Sequence, residues 1–132
     1  MIAALDLQTA LIARLRTDLD LAALVGARIH DVAPRGTAFP YLTLGDAGQA
    51  DWSSGTEAGG DIRLSLHVWS RAAGKREAWT IAGVVMRILH DAPLALDTHQ
   101  LVLLRVTYAE VRRDPDGLTQ HGVVQLAALV EG

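Results

Sequence analysis

Asp61, Ser65 and His67 are the three residue types of a hydrolytic triad, and their spacing puts all three on one side of an extended strand. A triad needs a base and its carboxylate to converge on one hydroxyl, with donors held ready for the oxyanion. Residues two apart on a strand stand side by side instead, and no Gly-x-Ser-x-Gly turn is present. The five histidines, His30, His67, His90, His99 and His121, never fall at His-x-His or His-x-x-x-His spacing, so no preformed metal site is indicated. The chain has no cysteine, which removes disulfides, zinc-thiolate sites, iron-sulfur clusters and a thiol nucleophile together. Asp114-Pro115-Asp116-Gly117 begins like a calcium loop but lacks the later ligands and the closing glutamate, and reads as a tight turn. Gly74-Lys75 precedes a helix without the remaining residues of a phosphate loop, and Gly55, Gly59 and Gly60 lack the strand-turn-helix context of a dinucleotide site. By elimination the chain reads as a binding or structural module, not an enzyme, with no catalytic residue, metal or cofactor expected.

The elements that carry these residues follow from periodicity. Asp61 to Trp69 alternates without a break: Ile62, Leu64, Leu66 and Val68 on one face, Asp61, Arg63, Ser65, His67 and Trp69 on the other. Such a strand belongs to a mainly antiparallel sheet with one wet face, whose apolar face helices must cover. One helix is expected over Ala3 to Thr17, where Leu7, Leu11 and Leu15 recur, and another from Lys75 to about Asp91, with Ala78, Ile81, Ala82, Val85, Ile88 and Leu89 inward. Between the first helix and the sheet, Asp18 and Asp20 cap a short turn from Leu19 to Leu24 ended by Gly26, a short extended segment runs from Arg28 to Val32, and Pro40 opens a strand from Tyr41 to about Asp46. Leu101 to Arg112 alternates again, with Val102, Leu104, Val106 and Tyr108 on one face, and pairs through the Asp114 to Gly117 turn with a last strand from Val123 to about Val130. The expected fold is α+β: one mainly antiparallel sheet of about four strands packed against two helices, in a single domain over residues 1–132.

The stretch from Gly45 to Gly60 holds five of the twelve glycines and reads as a long flexible hairpin loop. Trp52 lies within it, and two readings stand: an anchor for a partner, or an indole folded back on its own domain. The formal net charge is −3, from 12 basic and 15 acidic residues with no basic run, which argues against tight nucleic-acid binding. No apolar stretch approaches the roughly 20 residues of a membrane span. The opening Met1 to Gln8 has no basic region before its apolar residues and is interrupted by Asp6, so a soluble, cytoplasmically made protein is expected.

Several fragments in order resemble one family. They are the N-terminal helix, Leu24-Val25-Gly26 leading to Arg28-Ile29-His30-Asp31, Pro40-Tyr41-Leu42-Thr43-Leu44-Gly45, the glycine-rich gap, Leu66-His67-Val68-Trp69-Ser70, and Asp114-Pro115-Asp116-Gly117-Leu118-Thr119-Gln120-His121-Gly122. Together they resemble the tail-completion, or tail-terminator, proteins of long-tailed phages and phage-derived gene transfer agents. The resemblance implies a virion structural protein of the neck or tail top, assembled in the bacterial cytoplasm. It further implies a homo-hexameric ring that ends the tail tube and joins it to the head-tail connector proteins, with DNA passing through unread. Asp51, Trp52 and Glu57 of the loop, with Arg63, His67 and Trp69 of the wet face, are the residues expected at the ring or partner interface. Glu110, Asp114 and Asp116 are candidates to face the channel, where six copies at −3 would repel phosphate. An adaptor or stopper ring of the same neck is the alternative, and a small ligand-binding module with a shallow pocket at Trp69 is the rival from another class.

Overall fold

A computed structural model describes residues 1–132. In chain order its elements are helices α1 (Ala3–Arg16) and α2 (Leu19–Val25), strands β1 (Ile29–His30), β2 (Tyr41–Asp51) and β3 (Gly59–Ser70), helix α3 (Arg76–Leu89), and strands β4 (Gln100–Arg113) and β5 (Gln120–Glu131). The sheet order is β1-β2-β3-β5-β4; β1 runs parallel to β2 and every other pairing is antiparallel. The fold is α+β as its periodicities require. The short turn after α1 is a true third helix, and Ile29 and His30 add a fifth strand.

Each helix buries the stripe its spacing dictates. Leu7, Leu11 and Leu15 of α1, Leu21 and Val25 of α2, and Ile81, Val85 and Leu89 of α3 are all fully buried. They share one core with Ile62, Leu64, Leu66 and Val68 of β3 and with Val124, Leu126, Ala128 and Val130 of β5. All three helices therefore cover one face of the sheet. The Asp18 carboxylate caps α2 by accepting from the Leu21 N–H at 3.0 Å, and Gly26 closes it at φ +60°, a conformation a side chain resists. No helix is long and apolar enough to cross a membrane.

Two expectations are corrected. The long loop at 45–60 is mostly strand: β2 runs on to Asp51, and pairs from Ala47–Leu64 to Asp51–Gly60 leave only residues 52–58 outside the ladder. Glycine, alanine and aspartate are poor strand formers, but β3 is held along its whole length by β5 and offers a fixed template for them. The residues between Leu44 and Ala47 absorb a bulge, which the alternation of β2 does not announce. In β4 the simple alternation fails for the same reason. Register shifts between Leu101 and Leu103 and between Val106 and Tyr108 change its phase twice. Leu101, Leu104, Val106, Ala109 and Val111 reach the core, whereas Val102 and Tyr108, expected on one face with Leu104 and Val106, are 48% and 52% exposed.

Candidate functional site: the open face of the sheet

The face away from the helices carries alternate residues of β2, β3, β5 and β4, and no element of the chain lies over it as the helices lie over the other. At the end nearest the turns, a row of rings crosses it. The Arg71 guanidinium sits 4.5 Å over the Phe39 ring, Phe39 lies 5.0 Å from Tyr41, Tyr41 6.3 Å from Trp69, and Trp69 stacks on His121 at 4.1 Å and 10°. His67 completes the row, 4.7 Å from His121 between centroids. The Trp69 indole N–H donates to Thr43 Oγ1 at 2.9 Å, which fixes the ring.

Polar groups thread the same cluster. His67 Nδ1 and His121 Nε2 are hydrogen-bonded to each other; on their far sides His67 Nε2 lies 3.4 Å from Ser65 Oγ and His121 Nδ1 lies 3.6 Å from Asp114 Oδ1. Burial pushes the pKa of His67 below the ordinary imidazole range; Asp46 opposes that and Arg112 adds to it. His121 is lowered too, by burial first and then by His67, with Arg112 adding and Asp114 and Glu110 opposing. The arrangement can hold one proton between two rings, and it resists taking up a second.

Gly45 is part of this construction. A Cβ there would run into the His67 ring and the Ser65 hydroxyl, so the imidazole occupies space that only a glycine leaves open. Three of the fragments quoted above, Pro40 to Gly45, Leu66 to Ser70 and Asp114 to Gly122, thus meet at one place. The triad geometry does not form: Asp61 is held by Arg63 at 3.0 Å, and the carboxylate that reaches a histidine is Asp114, through His121.

The expected interface residues fall in three places. His67 and Trp69 lie in the ring cluster. Arg63 and Trp52 line a 440 Å³ groove further along the face, with Leu103, Arg105 and Leu129, and Arg63 also borders a neighbouring trough of 410 Å³ with Asp46, Gly48, Ser65 and Gln125. Trp52 pairs its N–H with the Gly59 carbonyl at 2.9 Å and lays its ring beside Gly59, yet stays 40% exposed, so it both packs on its own hairpin and presents a surface. Asp51 accepts from the Ser53 N–H at 3.3 Å, and the Glu57 N–H donates to Ser54 Oγ at 3.0 Å; both side chains are exposed on the hairpin tip.

Of the three acids considered for a channel, Glu110 is half-buried on β4 and Asp114 stands beside His121. Asp116 is engaged in the turn: its carboxylate accepts from the N–H groups of Leu118 and Thr119 at 2.8 and 2.9 Å and from the Thr119 hydroxyl at 2.7 Å. Those bonds hold its pKa down at about 2. His121, Tyr41, Thr43 and Arg105 belong to the face and were not singled out by sequence. His121 falls outside a strand that begins at Val123; β5 begins at Gln120, which brings it beside Trp69.

The family model for tail completion protein gp17 matches residues 9–131. The tail completion protein gp17 of Bacillus phage SPP1 is 28% identical over 88 residues, 67% of this chain, and that match spans 65% of the relative's own length. A chain in the solved virion of a native gene transfer agent particle superposes with a TM-score of 0.92 at 35% identity, covering 98% of this chain and 97% of its own. A second solved structure, 14% identical with a TM-score of 0.57, covers 100% of this chain and shares the fold alone.

Proposed function

The chain belongs to the tail completion protein gp17 family, structural virion proteins of phage tails, and from that membership we propose that it is the subunit of a hexameric ring. The ring ends the tail tube and joins it to the head-tail connector, and DNA passes through it as cargo. The observation that carries the reading is the likeness, over 98% of the chain, to a component of a gene transfer agent particle. The open sheet face supports it, because an aromatic row, Arg63, Arg105 and the half-exposed Trp52 give the mix of rings and guanidinium groups that subunit contacts favour. The net charge of −3 per copy supports passage of DNA without capture, since phosphate binding requires an excess of cations.

Native mass spectrometry of the purified chain over a range of concentrations, alone and with isolated tail tubes, tests the ring. A species of six times the 14.1 kDa chain, free or on tube ends, is the expected result. A monomer under both conditions overturns it.

A further inference from the structure

We propose that the ring closes through one repeated contact, in which the β2–β3 hairpin of one copy docks against the outer strand β4 of the next. The inference rests on the ring reading above and names the two surfaces that such a ring would join.

Charge is the first support. From Tyr41 to Ile62 the chain has Asp46, Asp51, Glu57 and Asp61 and no lysine or arginine. Asp61 is paired with Arg63, but Asp46, Asp51 and Glu57 have no cationic partner. Strand β4 is the reverse. Arg105, Arg112 and Arg113 are exposed and no carboxylate lies within ion-pair distance of any of them. Through the pairs Gly48–Arg63, Arg63–Ala127 and Arg105–Ala127, Arg105 stands level with Gly48, between Asp46 and Asp51, so free charges of opposite sign sit at one height on opposite sides of the sheet; Arg112 and Arg113, level with Trp69 and Ser70, lie at its other end.

Topology is the second support. No strand pairs with the outer side of β4, where the Asp91 N–H donates to the Leu104 carbonyl at 2.9 Å and the Val106 N–H to His90 Nδ1 at 3.1 Å, so a neighbour would meet its side chains more than its backbone; β1 covers β2 only at Leu42 and Thr43, so the other edge is open from Leu44 to Asp51. The chain runs in opposite senses along β2 and β4, since β2, β3, β5 and β4 alternate antiparallel. A rotation about an axis along the strands brings β4 of one copy beside β2 of the next in the antiparallel sense. Such a head-to-tail contact uses different surfaces on the two partners and closes into a ring when the rotation divides a full turn.

Apolar surface is the third. The two register shifts in β4 leave Val102 and Tyr108 about half exposed, Val102 beside Asp91, Ala92 and Pro93. Trp52 at the hairpin end offers 40% of its surface. An indole on one side and a tyrosine and a valine on the other give the contact the aromatic core that a purely charged edge lacks.

The test uses two full-length variants. Asp46→Arg with Asp51→Arg makes the hairpin basic; Arg105→Glu makes the edge acidic at the same height. Each alone brings like charges together at every contact and raises the concentration needed for rings by more than about tenfold. Mixed one to one, the two variants are complementary at both contacts, and native mass spectrometry should show rings with three copies of each. Circular dichroism melting of each variant reports its folding. If a variant does not fold, the salt dependence of wild-type rings decides, because the contact predicts weaker assembly as ionic strength rises. Rings of both variants at wild-type concentrations, loss of tube attachment with ring formation intact, or rings indifferent to salt each overturn the hairpin contact and leave the ring standing. A wild-type chain that forms no ring, free or on tubes, overturns the ring itself.

Discussion

On the helix side of β3, Leu66 is 2% exposed among residues from all three helices; one position along, on the other side, His67 rests on Gly45, Ser65 and His121. The covered face is apolar and closed by the chain's own helices. The open face is ordered at one end by stacked rings and hydrogen bonds and opens at the other into a groove lined by Trp52, Arg63, Arg105 and half-covered hydrophobics. Stability therefore comes mainly from the first face, and the second is available for contacts outside the chain. A residue's effect on folding and its effect on assembly should separate along this line.

The sharpest way to break the comparison is to truncate matched positions on β3. Leu66→Ala should lower unfolding free energy by about 2–5 kcal/mol, whereas Arg63→Ala on the open face should stay within about 0.5 kcal/mol. Urea melts of the two variants measure this, and similar losses would dissolve the distinction. At the ordered end of the open face, Gly45→Ala should cost about 1–3 kcal/mol, since the new methyl group must displace the His67 ring. Combining it with His67→Ala should recover part of that loss, with a coupling above about 0.5 kcal/mol. Strict additivity would mean that Gly45 serves some other purpose.

A smaller effect distinguishes the faces by pH. His67 and His121 are held below their ordinary value of 6.5 when folded, so the unfolded chain takes up protons first as pH falls. Their contribution is complete above that value and is lost as pH falls below it toward their folded pKa values. The helix side has its own titrating group. Asp6 lies on the buried stripe of α1 and accepts from the N–H groups of Asp97 and Thr98, each at 2.9 Å, from Thr98 Oγ1 at 3.0 Å and from His99 Nδ1 at 2.8 Å. Burial alone would raise its pKa, but the bonds from His99, Thr98 and Asp97 together hold it well below the ordinary 3.8. Its contribution is present above that value and lost only in stronger acid. Urea midpoints against pH should show two limbs, with His121→Gln flattening the limb below about 6.5 and Asp6→Asn the limb below about 3.8. A curve unchanged by His121→Gln would remove the histidine pair from the account.

How much of this was legible in the sequence varied with the kind of signal. Strand β3 and the stripes of α1 and α3 were readable because one residue type recurs at one period. Strand β4 was readable as a strand but not in phase, because a bulge adds a residue without marking itself. The hairpin reads as loop in the sequence because its glycines and aspartates lack intrinsic preference and are strand only by virtue of β3. Asp6 sits three residues after Ala3 and one before Leu7, within the buried stripe, so a carboxylate at that phase was the available sign of a buried, hydrogen-bonded acid. The His67–His121 contact had no such sign, since it depends on β5 lying beside β3, 54 residues away.

That pairing also sets an order of events during synthesis. Strand β5 follows β4 in sequence yet lies between β3 and β4, so until it emerges β3 has no partner on that side and β4 has none at all. The Asp61–Leu129 and Arg105–Ala127 pairs form only then, and long-range pairing of this sort is slow to close. The basic strand cannot be displayed as a straight, ordered edge before β5 has zipped into place. A chain in which β5 has not yet paired thus lacks the ordered β4 edge that the proposed contact between copies would use.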